Sequence, residues 1–415
     1  METSLPTTRL STSDQTRARL GASSWLTWAL TVVLIGVALL LRLSVIAEVF
    51  TPRGVRLLTV DAYLHFRRIL LTAQQFPGLS SFDPYANYPD GVVVTWPPLW
   101  DWSVALLGRI VALGRLDEAT LLTVAALFPV AVGVMTVLSV GALAWLVFGR
   151  GAALPAAFFA AVSPALRLVS QVGNADHHAG VSFGVVLIAI ATALIARLSE
   201  SHTSPSLRSL LSRAILLALA MSGSLMVWLG SIVPAFLAWL FFLLLVVARG
   251  REASRRVMVA GFSFLAAGLV LLPFLSSVQP TFGAMSSLHV SALVLGGFVL
   301  LLSAIAVRRA GRALLLVALV LVAVTMSLGA LVGALRPLVD AALSGVVKAF
   351  GWYPWAQQTN EWLPLLDDGS GWTFTNAEVL YGKLVYLVPT LLLGLIARDL
   401  FVLLRTKAPS IPPPS

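Results

Sequence analysis

Gly173-Asn174-Ala175-Asp176-His177-His178-Ala179-Gly180 interrupts a long apolar sequence. Ala152 to Ser170 leads into it and Val181 to Arg197 leads away, so it falls where one membrane helix ends and the next begins. Three ionisable side chains stand there almost alone. Ionisable groups at membrane depth are costly, which makes a functional role the default reading. Asp176 and His178 are two positions apart, and on a short extended or turn segment both can point at one spot. A carboxylate with an imidazole suits a Mn²⁺-like divalent ion better than a pure oxygen cage would. The alternative is structural: Asp176 caps the next helix and the histidines pack at the interface.

The rest of the composition agrees with a membrane setting. The chain has 415 residues, 58% hydrophobic and 11% charged, with no cysteine. It is a polytopic membrane protein of all-α class, and disulfides and thiolate-bound metals are excluded. The formal charge of +10 resides in arginines of short loops, as the positive-inside rule expects, and does not indicate nucleic acid.

Following the loop arginines gives about ten spans with both termini cytoplasmic. Residues 1–23 form a disordered tail, residues 24–407 the membrane domain, and residues 408–415 a Pro-rich tail. Trp25–Phe50 is the first span, kept as an anchor. The first long outer loop, residues 51–118, includes a short amphipathic segment, Leu99–Leu113, that lies at the interface with Trp96, Trp100 and Trp102 as headgroup-level anchors. Ala119–Phe148 is a clear span ending at the basic turn Gly149-Arg150-Gly151. Residues 210–248 are long enough for a hairpin of two spans turning near Ser222-Gly223-Ser224, and it returns to Arg249, Arg251, Arg255 and Arg256. Val257–Leu275, Val290–Val307 and Ala313–Leu335 follow, then the second long outer loop, residues 336–379, and a last span, Leu380–Leu404. This bookkeeping places Asp61, Asp176, His178 and Glu361 on one face, the non-cytoplasmic one.

Each of those residues has a plain reading as a solvated loop group, and Arg67 and Arg68 as headgroup contacts. Together they form an acid in the first outer loop, an Asp-x-His at a helix mouth and an acid in a late loop, a set that can assemble one metal site with a nearby base.

The same motifs, in order, resemble the catalytic subunit of oligosaccharyltransferases, in the glycosyltransferase C superfamily. Asp61-Ala-Tyr-Leu-His65-Phe-Arg67-Arg68 is similar to the first-loop acidic motif, and Tyr88-Pro-Asp-Gly-Val with Trp96-Pro-Pro-Leu99 to the end of that loop. Gly173-x-x-Asp176-His-His178 resembles the second acidic motif in its archaeal-type form, and Thr359-Asn-Glu361-Trp-Leu-Pro364 the late-loop motif. The resemblance implies a polyprenyl-phosphate or pyrophosphate sugar donor with its tail in the membrane lipid, and a Mn²⁺ or Mg²⁺ ion held by Asp61, Asp176, His178 and Glu361. Asp61 and Glu361 would polarise the acceptor in a single, inverting displacement, and Arg67, Arg68 and Lys383 would contact phosphate. The expected location is a prokaryotic plasma (inner) membrane with the active site facing outward.

Two departures bear on the acceptor. Trp-Trp-Asp occurs nowhere in the chain, so the soluble acceptor-gripping domain of the family is expected to be missing, and Gln358 stands where many members carry Thr or Ser. The acceptor, a protein or a glycan, would then be read in another way or with a partner subunit. A lipid-linked transferase with a non-peptide acceptor, or a transporter or flippase for a lipid-linked sugar, are the competing readings. The acids cluster at one face and no inverted repeat is evident, which disfavours transport.

Overall fold

The computed structural model describes residues 12–198 and 206–331, with scattered positions between 336 and 394, and side chains from Trp25 through 309 within those ranges. Glu361 and Lys383 lie outside the described residues, as do most of the second long loop and of the last span. The chain divides into a unit of residues 1–162 and 166–342 and a second unit of residues 163–165 and 343–415. The side-chain contacts described below lie within the first.

The architecture is helical, with two minimal hairpins. Helix α1 (Thr12–Arg42) is followed by α2 (Ile46–Val49), the antiparallel pair β1 (Phe50–Thr51) and β2 (Gly54–Val55), and α3 (Val60–Gln75). A second antiparallel pair, β3 (Phe82–Asp83) and β4 (Val92–Val93), precedes α4 (Leu99–Val111) and the long α5 (Glu118–Phe148). Then come α6 (Arg150–Val162), α7 (Pro164–Ser170), α8 (His178–Ala196), α9 (Leu207–Val227), α10 (Ile232–Arg249), α11 (Ser254–Leu271) and α12 (Ser287–Leu331). Helix α1 begins at Thr12, so the second half of the segment expected as a disordered tail is helical backbone.

Six helical segments among the described residues are long and apolar enough to cross a membrane, seven if α6 and α7, bent by 62°, make one span. One of the six, Leu229–Phe274, contains both α10 and α11, divided at Gly250, and so covers two of the expected spans. Helix α12 breaks at Gly311, whose φ of 81° is non-helical, and the break falls between the expected spans 290–307 and 313–335.

Two expectations need correction. The hairpin of residues 210–248 does not turn at Ser222-Gly223-Ser224. Helix α9 runs straight through, because both serine hydroxyls donate back within the helix, to the Ala218 and Ala220 carbonyls at 2.9 and 2.6 Å. Back-bonding of this kind lets serine sit inside an apolar helix. The turn comes at Trp228–Ser231 instead. Trp100 is not a headgroup anchor either. It is buried, its ring meets Phe128 edge-on, and its indole N–H donates to the Ala175 carbonyl at 2.9 Å.

Helix α4 is as short as its sequence suggests. Its 13 residues extend about 20 Å, short of a ~30 Å hydrocarbon core. It packs with α3 and α5 around an apolar cluster built on Phe66, Ile69, Trp100, Val104, Ala126 and Val172. The turn after α7 is seated on that cluster. Arginines gather elsewhere: Arg251 donates to the Val307 carbonyl and Arg308 to Ser254, joining the α10–α11 turn to the end of the first half of α12.

Candidate functional site

Helix α3 starts where Thr59 accepts a hydrogen bond from the Ala62 N–H, a standard N-cap, and places Asp61 in its first turn. Its buried residues, Ala62, His65, Phe66, Ile69, Thr72 and Ala73, recur at three and four positions, so one face is committed to the cluster. His65 lies on that face. Asp61, one turn earlier on the same side, is exposed.

The Asp-His-His turn is fixed largely through its backbone. Val172 N–H donates to the Arg42 carbonyl and Gly173 N–H to the Ala126 carbonyl, both at 2.9 Å, while the Gly173 carbonyl accepts from Leu58 N–H at 3.0 Å. Gly173 has φ of 81°, and a Cβ there would stand 2.5 Å from a Val49 methyl, so glycine is required on both counts. With the turn held, α8 starts at His178 with His177 as N-cap residue and no side-chain cap. Asp176 is therefore not the N-cap. The backbone N–H that its Oδ1 accepts is that of the next residue, at 2.6 Å, and not one from the first turn of α8.

Around Asp176 three imidazoles converge. His65 Nε2 lies 3.1 Å from Oδ1, His177 Nδ1 2.5 Å from the same oxygen, and His178 Nε2 3.2 Å from Oδ2. His65 Nε2 and His177 Nδ1 are 3.0 Å apart. Asp176, His65 and His177 are all buried, and their ligand atoms lie within 4.8 Å of one another. Ligands at ~2.1 Å from one ion stand about 3 Å apart, so these separations suit a divalent cation. The His177 Nε2, on the far side of the ring, is buried without a hydrogen-bond partner. Trp96 closes the group, with its ring edge-on to His177 at 5.3 Å.

The charges sort themselves. Burial alone would lower His65, but hydrogen bonds to Asp101 and Asp176, with their charges, raise it to about 9. Burial would raise the Asp176 carboxyl, yet hydrogen bonds from His177 and His65 hold it below the ordinary range. His177 is pushed down, chiefly by burial, with the neighbouring histidines adding to the effect against the pull of Asp176. One cationic and one neutral imidazole thus flank one carboxylate.

Of the expected ligands, then, Asp176 and His178 meet directly. Asp61 stands on the α3 face that carries His65, outside the buried triad, and Glu361 is outside the described residues. His65 and His177 are ligand-capable residues that the sequence reading left out; the spacing of His65, one helical turn after Asp61, was the available signal. Arg67 and Arg68 part company. The Arg67 fork is taken by Asp83, Nε and NH2 donating to its two oxygens at 2.6 and 2.5 Å, with Tyr85 under the guanidinium. Arg68 lines a cleft of about 210 Å³ with Ser80, Thr95, Trp96, Asp101 and Ser276.

The Arg67–Asp83 clamp gives a testable pH dependence. The Arg67 hydrogen bonds, opposed by burial and helped by the Tyr85 and Ala86 N–H groups, lower Asp83 to about 2. A carboxylate depressed on folding stabilises above its unfolded value of about 3.9, and that contribution is lost as pH falls through its folded one. With Arg67 partly exposed, Asp83→Asn is expected to cost about 1–2 kcal/mol at pH 7. Thermal unfolding of the variant and the wild type should converge as the pH approaches 2, and a gap independent of pH would contradict the clamp.

An apolar helical bundle with a loop-built carboxylate and histidine cluster at one helix mouth defines a polytopic membrane protein with a candidate divalent-metal centre. Residues 30–345 match the family described as oligosaccharyl transferase STT3, N-terminal, and the chain belongs to that family. It is 31% identical over 274 residues to dolichyl-phosphooligosaccharide-protein glycotransferase 2 of Archaeoglobus fulgidus, covering 65% of this chain and 40% of the relative. Its fold is that of the oligosaccharyltransferase AglB from the same organism, solved in complex with an inhibitory peptide and a dolichol-phosphate (TM-score 0.75, 22% identity, 88% of this chain and 44% of that one). A further Archaeoglobus fulgidus oligosaccharyltransferase structure, in complex with Zn and sulfate, matches at TM-score 0.65 with 24% identity, over 74% of this chain and 40% of that one. The chain spans less than half the length of these relatives.

Proposed function

We propose that this chain is a metal-dependent glycosyltransferase that moves a sugar or oligosaccharide from a polyprenyl-(pyro)phosphate donor to an acceptor on the extracytoplasmic face of a prokaryotic plasma membrane. The observation that carries the reading is the buried Asp176 carboxylate with three imidazoles on its two oxygens, in a member of an oligosaccharyl transferase family. Asp176 and His178, joined by Asp61 and Glu361, would hold Mn²⁺ or Mg²⁺, with His65 and His177 on the inner side. The two-nitrogen, one-carboxylate character of the buried part leans toward Mn²⁺.

A bound divalent ion supplies charge neutralisation for the donor phosphate as the glycosidic bond breaks. The chain's own groups do the rest. Asp176, held ionised by its neighbours, fixes the centre of the site. Trp96 and the buried cluster keep water from it. Arg68, at the cleft beside Asp101, and Lys383 are the phosphate contacts, since Arg67 is spent on Asp83. Asp61 and Glu361 polarise the incoming nucleophile. The neighbour's complex with a peptide and a dolichol-phosphate favours a peptide acceptor.

The test is mass spectrometry of glycoproteins and glycolipids from cells with and without the gene, then with Asp61→Ala and Glu361→Ala. Product loss of about 10²–10³-fold in folded variants is expected. Wild-type product in either variant, or transfer that survives chelation, would reject the reading. Glycolipid products alone would move the acceptor to a lipid or glycan, and transport without product would favour a flippase.

Ligation by His65 would add a proton linkage. In the metal-free site His65 keeps its proton up to a pH of about 9, and an imidazole must be neutral to ligate. Mn²⁺ affinity is expected to tighten by up to about tenfold per unit from about pH 7, levelling off above about pH 9. Calorimetry in buffers of different ionisation enthalpy should count about one proton released per ion, and a flat profile would remove His65 from the ligand set.

A further inference from the structure

We infer that Asp101 is the positioning residue of this site, acting through His65; the inference rests on the metal reading above. Asp101 belongs to α4, away from the motifs that carry the proposed ligands, and it is 2% exposed. A carboxylate that deep needs a purpose or a partner. It has two, both from α3. His65 Nδ1–H donates to its Oδ1 at 2.7 Å, and Arg68 NH2 stands 2.9 Å from its Oδ2. The Arg68 contact is an ion pair without hydrogen-bond alignment, since Oδ2 has no hydrogen-bond partner and neither does Arg68 Nε. The directional bond is therefore the one to His65.

That bond decides what the ring presents. With Nδ1 committed as donor to Asp101, the plane of the imidazole is set and Nε2 is delivered to Asp176 and His177, at 3.1 and 3.0 Å. A carboxylate behind a histidine, with the other ring nitrogen facing the metal position, is the arrangement that orients metal-bound histidines and raises their basicity. The helix that supplies the carboxylate is itself indexed to the turn: Trp100, the preceding residue, is bonded to the Ala175 carbonyl, next to Asp176. Two consecutive residues of α4 therefore hold both sides of the site, one through His65 and the other through the backbone of the turn.

A purely structural role makes a different prediction. If Asp101 were only a counter-ion for Arg68, its loss would lower stability and leave metal affinity alone. The experiment measures Mn²⁺ binding by electron paramagnetic resonance on the full chain in nanodiscs, for wild type, Asp101→Ala, Asp101→Asn and Asp176→Ala, with metal-free thermal unfolding alongside. Asp101→Ala is expected to weaken Mn²⁺ binding by about 10–100-fold. Asp101→Asn, whose amide oxygen can still accept from Nδ1–H, should recover part of that loss. In ¹⁵N-histidine spectra the hydrogen-bonded Nδ1 signal of His65 should shift in both variants. If Asp176→Ala abolishes binding while Asp101→Ala binds within about twofold of wild type, the positioning role is overturned and the metal reading stands. If Asp176→Ala binds normally, the metal reading falls and this inference with it. Should Asp101→Ala fail to fold, Asp101→Asn decides: unchanged affinity with an unmoved Nδ1 signal overturns the role.

Discussion

Asp176→Ala is expected to abolish Mn²⁺ binding and to lower sugar transfer by about 10³-fold or more, while the protein still folds. The carboxylate is the one group that touches all three imidazoles of the site. Without it, the buried part of the site keeps only the nitrogen ligands of His65, His177 and His178 and has no carboxylate of its own to offset a divalent ion. Removing one partner of a buried charge network costs stability, but folding should survive because the loss is limited by the partners that remain. His65 keeps Asp101 as its partner in the variant, so no cation is stranded. Asp176→Asn keeps the shape and loses the charge, and it should fall nearly as far. Metal titration and transfer assays on detergent-purified protein check both numbers; transfer within tenfold of wild type by either variant would remove Asp176 from the centre of the mechanism.

Gly133→Ala is expected to cause a large loss of stability for a single added methyl group. Arg42, at the end of α1, is completely buried, and its guanidinium donates to Ser170 Oγ at 2.9 Å and to the Ala38 and Ala161 carbonyls at 3.1 and 3.4 Å. It ties the C-terminal ends of α1 and α6 to the segment that leads into the Asp-His-His turn. Gly133 of α5 makes the room. A Cβ there would stand 2.5 Å from Arg42 Nε and 2.5 Å from Ser170 Oγ. Displacing a buried guanidinium from its acceptors is expected to cost about 3–5 kcal/mol. Gly36→Ala on α1, where nothing lies within 4 Å of the new methyl, is the control and should be unchanged or slightly stabilised. Thermal unfolding in one detergent compares the two directly. Equal midpoints would mean that Arg42 is not held as described.

How much of this could be read from the sequence depends on the range of each interaction. The spans were legible because twenty apolar residues in a row have few alternatives, and the Asp176–His178 pair because ionisable groups at a helix mouth announce themselves. The partners of that pair were not. His65 reaches Asp101 across 36 residues and His177 across 112, and no local pattern encodes such meetings. Asp101 read as one charge on a short interfacial helix, and Trp100 as a headgroup anchor, since a tryptophan near a membrane border looks the same whether its N–H meets lipid or a carbonyl. The Ser222-Gly223-Ser224 turn was misplaced for a related reason: turn-forming residues lose that meaning where no water competes for their hydroxyls. Arg42 was absorbed into an apolar run, although an unpaired arginine there was already a sign of a buried purpose.

The tethers of the Asp-His-His turn have a consequence for how its sequence can drift. Three of them join peptide groups, from Leu58, Ala126 and Arg42 to residues 172 and 173, while side chains enter at Trp100 and at Asn174, whose Nδ2 donates to the Leu168 carbonyl. Substitutions at Leu58, Ala126 or Val172 that fit the packing leave those links intact, proline at 58 or 172 excepted, because the linking atoms are those of the backbone. A saturation-mutagenesis map would therefore record the scaffold of the centre as permissive, with sharp intolerance at Gly173 and Trp100, and the positions that do the holding would be the ones such a map leaves blank.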